Sequence, residues 1–336
     1  MVVQLPLDFD ERNYLAANPD VAAAVQAGAI ASGGEHYSHY GHLERRALAP
    51  GVRPPPLPLP FGPEGTASRR DKILTGLDLN RLDGVEIGAL AAPLVRRGEG
   101  RITYVDFTDE DTLRRTYAED PNVNVDDIVQ VDAIWGDKTL REALGSDRRV
   151  DYVVASHVVE HVPDLITWLS EIRQVLETGG ALRLVVPDRR YTFDYLRLES
   201  RYHDVLDAYL QKARRPLPRQ IMDFCGLARH VNCEAAWNGS LQVDTLQPMS
   251  SIAFGYALAQ DSIATGQYHD THCWVFTPAS FAQLFEELAM LGLVGFAYEY
   301  FVPTARNDLE FFVHMVASDD SEAIQRSWSQ MRRDVV

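Results

Sequence analysis

Cysteine is scarce in this chain. Cys225, Cys233 and Cys273 are the only three in 336 residues, and no pair has Cys-x-x-Cys spacing. An odd, scattered set suggests neither a disulfide framework nor a zinc ribbon. Long apolar runs are missing too. No stretch approaches the ~18 uninterrupted apolar residues of a membrane span. The opening MVVQLPLDFDERNYL has neither a basic n-region nor an apolar h-region. The expectation is a cytoplasmic protein with no signal peptide and no membrane partner. Positive charge is also short, with 32 Lys and Arg against 48 Asp and Glu and a formal net charge of -16. Such a field repels nucleic acid unless a basic patch intervenes. Basic residues gather only as doublets, Arg69-Arg70, Arg189-Arg190 and Arg214-Arg215. No nucleic-acid partner is expected.

Apolar residues are plentiful, at 46%, enough for a globular core. The length allows one large domain with an appendage. Residues 1–48 read as a small helical module. Tyr14, Leu15, Val21 and Val25 form an apolar stripe, Asn18-Pro19 caps and starts a second helix, and Gly28 is a plausible stop. His36, His39 and His42 follow at three-residue spacing. No carboxylate or cysteine completes a metal set, so an exposed aromatic and polar helix is the preferred reading. Seven prolines fall within the 17 residues 49–65, which mark 49–67 as a semi-rigid polyproline linker.

From residue 68 to 318 the pattern alternates between strand and helix. VEIGAL (85–90), ITYVDF (102–107), DIVQVDAI (127–134), DYVVAS (151–156) and ALRLVV (181–186) are short apolar strands separated by helical stretches. FAYEYFV (296–302) and LEFFVHMVA (309–317) close the series as a strand pair. This is α/β patterning, a doubly wound, mostly parallel sheet of seven strands. Residues 188–270 break the rhythm and are expected to form a helical, substrate-binding insertion. TPASFAQLFEELAMLG (277–292) starts with a good cap and first turn. The tail 319–336 is polar and is expected to fray or to form a surface helix.

Ligands of such sheets bind beyond the carboxyl ends of the strands. Strand one ends Glu86-Ile87-Gly88, strand two in Asp106 and strand three in Asp132. An acid about 20 residues after the glycine turn suits a ribose diol, and the next could reach an adenine amine. The loop after Gly88 lacks G-x-G-x-x-G, which argues against a dinucleotide pyrophosphate and for a nucleoside carrying a small side chain.

The runs GVEIGALAAP, TYVDFTDEDTL, IVQVDAIW and DYVVASHVVEHVPDLITWLSEIRQVLETGGALRLVVPD, with HCWVFTPASF later, resemble a class I S-adenosylmethionine-dependent methyltransferase. The most specific stretch is Asp151–Asp188: strand, EHV-x-D, helix, x-G-G, strand, VPD. The resemblance covers roughly 68–317 and implies a Rossmann-like fold and S-adenosylmethionine as cofactor. It further implies Gly88 near the methionine part, Asp106 on the ribose hydroxyls, Asp132 and Ala133 beside the adenine, and Glu86 near the amino group. Ala89, where the family often has further glycines, lines the same loop, and Ser156 at the fourth strand's tip belongs to the cofactor-facing set.

VVASHVVEHVPD carries His157, Glu160 and His161 at spacings of three and four, which on a helix share one face. A hydroxyl acceptor needs either a base or a cation that acidifies it. His157 and His161 suit the first role. With Glu160, and His272 as a fourth ligand, they suit the second. A similar acid-x-x-Glu-His arrangement occurs in metal-dependent O-methyltransferases acting on small-RNA 3′ ends and in ubiquinone synthesis. Here His157 replaces the first acid, a donor set less natural for Mg than for Mn, Fe, Zn or Ni. The same residues can also be purely structural. His230, Glu234 and His269 are further candidates, and Arg189, Arg190, Tyr191 and Phe193 are expected to face the acceptor.

The leading expectation is an O-methyltransferase acting on a hydroxyl of a glycan or other small metabolite, with a homodimer as the candidate assembly. The alternatives are a metal-independent N- or C-methyltransferase, or a degenerate fold serving as a binding module. The thin glycine loop and the N-terminal module on its proline linker motivate the last, which an absence of S-adenosylmethionine binding would favour.

Overall fold

The computed structural model describes residues 5, 9–41, 46–50 and 67–335. The chain divides into two compact units, Met1–Thr66 and Ala67–Val336. The proline-rich stretch lies almost wholly outside the described residues, as does His42.

In the first unit, α1 (Glu11–Ala17), α2 (Pro19–Gln26) and α3 (Gly33–His36) pack around Tyr14, Val21 and Tyr37. Pro19 opens α2 as expected, but the Asn18 side chain does not cap it. Its amide instead donates to the carbonyls of Tyr14 and Ala47. His36 is buried and bonds the Tyr14 hydroxyl through Nδ1 at 2.9 Å, so it is a core residue and not part of an exposed stripe.

The second unit is a seven-stranded sheet of order β3-β2-β1-β4-β5-β7-β6. Its strands are β1 (Asp83–Ile87), β2 (Arg101–Asp106), β3 (Ala133–Ile134), β4 (Val150–Ser156), β5 (Leu176–Pro187), β6 (Phe296–Val302) and β7 (Glu310–Ala317). Only β7 runs antiparallel to its neighbours. The chain reverses direction across the sheet between β1 and β4, where a ligand crevice opens in such folds. The helices are α4 (Arg69–Leu74), α5 (Glu110–Thr116), α6 (Leu140–Leu144), α7 (Leu165–Val175), α8 (Tyr202–Leu210), α9 (Pro218–Leu227), α10 (Cys233–Trp237), α11 (Ile252–Thr265), α12 (Pro278–Met290) and α13 (Ser321–Asp334).

Alternating burial sets the two faces of the sheet. Val85, Val153, Leu182, Leu184, Phe311 and Val313 point into the larger core with α7, α12 and α13. Tyr152, Val154, Val185 and Phe312 point the other way, onto Ile73 of α4 and the loop residues Leu94 and Val95. Each such side chain contributes roughly 1.5–3 kcal/mol by leaving water. α12 starts as its sequence says, with Thr277 accepting from Ser280 N and Pro278 at the first position. Four helices, α8 to α11, fall within residues 188–270.

Three expectations need correction. Residues 127–134 are not one strand: β3 is only Ala133–Ile134, after a 3-10 turn at Val125–Asp127. The tail takes its helical alternative but is packed rather than loose on the surface, because α13 buries Ile324, Trp328 and Met331 against α12 and β6, and the Trp328 indole donates to Phe296 O at 2.8 Å. The residues 157–161 are not helical. They form turns between β4 and α7, whose N-cap is Asp164.

Candidate active site

At the carboxyl end of β1, Gly88 takes φ +67°, and its N–H donates to Val105 O at 2.9 Å. A Cβ at Gly88 would come within 2.7 Å of Val158 Cγ2, so the turn needs glycine. The next turn gets by without one. Leu90 adopts φ +46°, and its carbonyl accepts Val129 N at 2.9 Å. A left-handed non-glycine residue costs about 1–2 kcal/mol. Buried Ala89 lies between them.

Glu86 is buried within β1, and its two oxygens accept Leu94 N at 2.7 Å and Val95 N at 2.9 Å. Burial pushes its carboxyl up to about 7, against these amides and the charges of Arg69 and Arg70. The sequence reading put Glu86 near an amino group. Its visible work is to hold the loop 88–95 against the sheet.

Asp106 ends β2, with one oxygen on Phe107 N at 2.8 Å. Among the described residues no donor reaches its other oxygen. Burial raises this carboxyl to about 6. Asp132 is not level with it, because Asp106 pairs with Ile134 and Val105 with Ala133. Asp132 therefore precedes β3, and its oxygens are taken by Tyr104 N at 2.9 Å and Arg97 at 2.8 Å. The residues at and beyond the tip are Ile134 and Trp135. An open carboxylate oxygen on Asp106 and a glycine cradle at Gly88 fit a nucleoside whose diol meets the acid and whose side chain crosses the glycine.

Beyond β4 the chain turns sharply. His157 takes φ +53°, with its N–H on Val185 O at 3.0 Å. Glu160 is fully buried, and neither of its carboxylate oxygens has a hydrogen-bond partner. Three imidazole nitrogens surround it. His157 Nδ1 is 3.6 Å from Glu160 Oε1, His161 Nε2 is 3.9 Å away and His272 Nε2 is 4.0 Å away. The ligand atoms of Glu160, His161 and His272 lie within 4.8 Å of one another, a set that His157 borders without joining.

The opposite nitrogen of each ring is held by an acid. His157 Nε2 meets Glu310 at 2.7 Å, His161 Nδ1 meets Asp270 at 2.9 Å and His272 Nδ1 meets Asp194 at 2.6 Å. The carboxyls of Asp194, Asp270 and Glu310 all lie below the usual range despite burial, held there by these histidines and, for Asp194 and Glu310, by arginines. Burial pulls His161 down, but its bond to Asp270 outweighs this and lifts the ring to about 9. The acid on the outer nitrogen fixes each ring's orientation and aims the inner nitrogen at Glu160. His161, lifted to about 9, is protonated at neutral pH and would give up its inner proton to take a cation.

Long-range packing builds this cluster. Cys273 N and Trp274 N both donate to Glu160 O, at 2.6 and 3.1 Å, and lay His272 against the turn. Arg197, 1% exposed, ties the rest together. It bonds Asp194 at 2.8 Å, His272 O at 2.8 Å and Asp223 of α9 at 2.7 Å. Buried charge is stable only when satisfied in this way. The Phe193 ring lies 4.6 Å from the His272 ring, tilted by 49°, and Tyr191 stacks on Trp237 at 4.0 Å. His269 lies elsewhere, on Asp261, and His230 and Glu234 are outside the ligand set.

Sequence reading missed Asp194, Asp270 and Glu310, although each lies beside a motif it had noted. It also missed Arg69. From α4, Arg69 reaches Ser156 Oγ at the tip of β4 and Glu310 at 2.7 Å.

A family model described as a methyltransferase domain matches residues 84–288. The chain belongs to this methyltransferase family. It is an enzyme of the class I type, with S-adenosylmethionine the expected methyl donor. No curated protein sequence matches it significantly. Among solved structures it is similar to the CcbJ methyltransferase from Streptomyces caelestis. That match has 15% identity and a TM-score of 0.38, covering 76% of this chain and 99% of that one. An S-adenosylmethionine-dependent methyltransferase from Methanosarcina mazei matches at 18% identity and TM-score 0.34, over 72% and 94% of the two chains. One from Mesorhizobium loti matches at 14% and 0.34, over 71% and 93%. At these values the structural likenesses carry no weight of their own. No helix of the described residues is long and apolar enough to cross a membrane.

Proposed function

We propose that this methyltransferase transfers a methyl group to a hydroxyl of a glycan or other small metabolite. In this reading Glu160, His161 and His272 hold a divalent cation, with His157 at the edge of the set. The observation that carries it is Glu160, a fully buried carboxylate with both oxygens unpartnered and three oriented imidazoles around it. An unpaired buried charge costs several kcal/mol, and a cation removes that cost. Glu160 Oε1 lies 3.9 and 4.0 Å from the facing nitrogens of His161 and His272, and the three ligand atoms lie within 4.8 Å of one another, close enough for one cation to draw them together. Such a cation, when bound, supplies the charge that lowers the pKa of an acceptor hydroxyl. Nitrogen donors with one carboxylate favour Zn, Mn, Fe or Ni over Mg.

His157 supports a second reading as general base. Glu310 holds Nε2 at 2.7 Å, which leaves Nδ1 free to accept a proton without any cation. Phe193 beside His272, and the aromatic pair Tyr191 and Trp237, support an acceptor site on the 188–270 helices.

The test is metal analysis of the purified protein and methyl transfer to sugar and phenolic acceptors before and after exhaustive chelation. The reading expects about one equivalent of divalent metal and activity that chelation abolishes and metal restores. Glu160→Gln should empty the site while leaving S-adenosylhomocysteine binding within about threefold. Full activity after complete metal removal would overturn the cation and favour His157 as base.

A further inference from the structure

Arg69 is the one arginine whose side chain contacts the tip of a central strand at the crevice, among the described residues. Its position is strongly determined. Ser68 and Asp71 form a capping box that starts α4 at Arg69. Ile73, fully buried, anchors the helix on the sheet, and His314 of β7 bonds Lys72 O at 3.0 Å. From there the guanidinium bonds Ser156 Oγ and, through Nε, Glu310 at 2.7 Å.

Ser156 follows Ala155, and Ala155 pairs with Ile87 of β1. Ser156 and Gly88 are therefore neighbours at the two strand tips. The guanidinium, bonded to Ser156, therefore sits at the tip of the strand beside the glycine turn, and its charge is felt by Glu86 of β1. The side chain remains 40% exposed although its partner Glu310 is almost covered. Two contacts use two of its five N–H donors, leaving others available. Arg70 is spent elsewhere, on Leu94 O and Glu99. Arg190 is spent on Asp188.

The family's donor is an amino acid joined to a nucleoside. Asp106 provides an acid at one end of the crevice, about where a ribose diol would need it. Its other end carries an α-carboxylate, which needs a cation once water is displaced. We infer that Arg69 recognises the carboxylate of the donor's methionine moiety. This rests on S-adenosylmethionine being the donor, and it assigns to α4 a binding role in addition to covering the sheet. The same guanidinium holds Glu310, which holds His157, so one side chain links the donor site to the histidine cluster.

The test is calorimetric titration of the full chain with S-adenosylmethionine and with its decarboxylated analogue, which keeps the amine and the nucleoside. The wild type should prefer the carboxylate-bearing ligand by about tenfold or more, as a charge-assisted bond implies. Arg69→Met should lose that preference, with affinity for the decarboxylated analogue unchanged within about twofold. That unchanged affinity also reports an intact fold. If Arg69→Met does not fold, Arg69→Lys should keep part of the preference, since it retains charge without the fork. An unaltered preference in either variant, or equal weakening of both ligands in Arg69→Met, would overturn the inference. A wild type that binds neither ligand would reject the donor reading itself, a result distinct from the loss of selectivity.

Discussion

The donor side and the histidine side of this crevice are built in opposite ways. The donor side comes from one continuous stretch, Glu86 to Asp106, across two neighbouring strands. Its parts are a turn, a tied-down loop and an acid at a strand tip. The histidine side takes Glu160 and His161 from one turn, His272 from another segment, and its orienting acids from residues 194, 270 and 310. Local order makes the first robust. The second is a convergence of distant segments around a buried carboxylate whose oxygens have no hydrogen-bond partner. A single substitution should therefore break the donor side at one contact, whereas the histidine side should weaken by degrees as orienting residues are lost.

The largest effect is expected at Asp106. With Asp106 assigned to the ribose hydroxyls, Asp106→Ala should weaken S-adenosylhomocysteine more than about a hundredfold in calorimetry. Surviving affinity would show that the ribose lies elsewhere. Asp270→Asn tests the other side. It keeps the shape but loses the charge on His161 Nδ1, 2.9 Å away. Affinity for added Zn or Mn should drop about 10- to 100-fold, while the donor's dissociation constant stays within about twofold. If donor binding falls as much as metal binding, the two sides are not separable.

The smallest expected effect is in pH. Burial raises the Asp106 carboxyl to about 6, and diol recognition needs the ionised form. Affinity for S-adenosylhomocysteine should therefore weaken as pH falls through 6, Asp106 alone accounting for about fourfold at pH 5.5. Protonation of Glu86, raised to about 7, should add to the loss by loosening the loop it holds. The ligand's own amine and carboxylate do not titrate there. A flat profile down to pH 5 would contradict this assignment.

Much of the fold was legible because its signals are local. Apolar runs at β1, β2, β4 and β5, the Thr277-Pro278 start of α12 and the closing pair β6 and β7 follow from period and capping alone. The shorter strand β3 was not, because VQVDAI alternates like a strand while only two of its residues find a partner. Asp132 moved with it, from the tip to the base of the strand. His157 shows another limit. Spacings of three and four suit a helix, yet they also suit a turn that folds back on itself. Only the φ of +53° at His157 and the late cap at Asp164 reveal which was chosen. α13 was read as surface because it is strongly polar, but one buried tryptophan decides its place.

The sequence alone determined the order of elements, the glycine turn, the acid at the tip of β2 and the gathering of histidines after β4. These depend on neighbours a few residues apart, where residue type and spacing constrain geometry directly. The tertiary structure decided which acid orients which histidine, that Glu160 is buried without a partner, and that Arg69 reaches Ser156 from a helix about 87 residues earlier. Those contacts join residues 78 to 241 positions apart, and only the folded sheet sets that register.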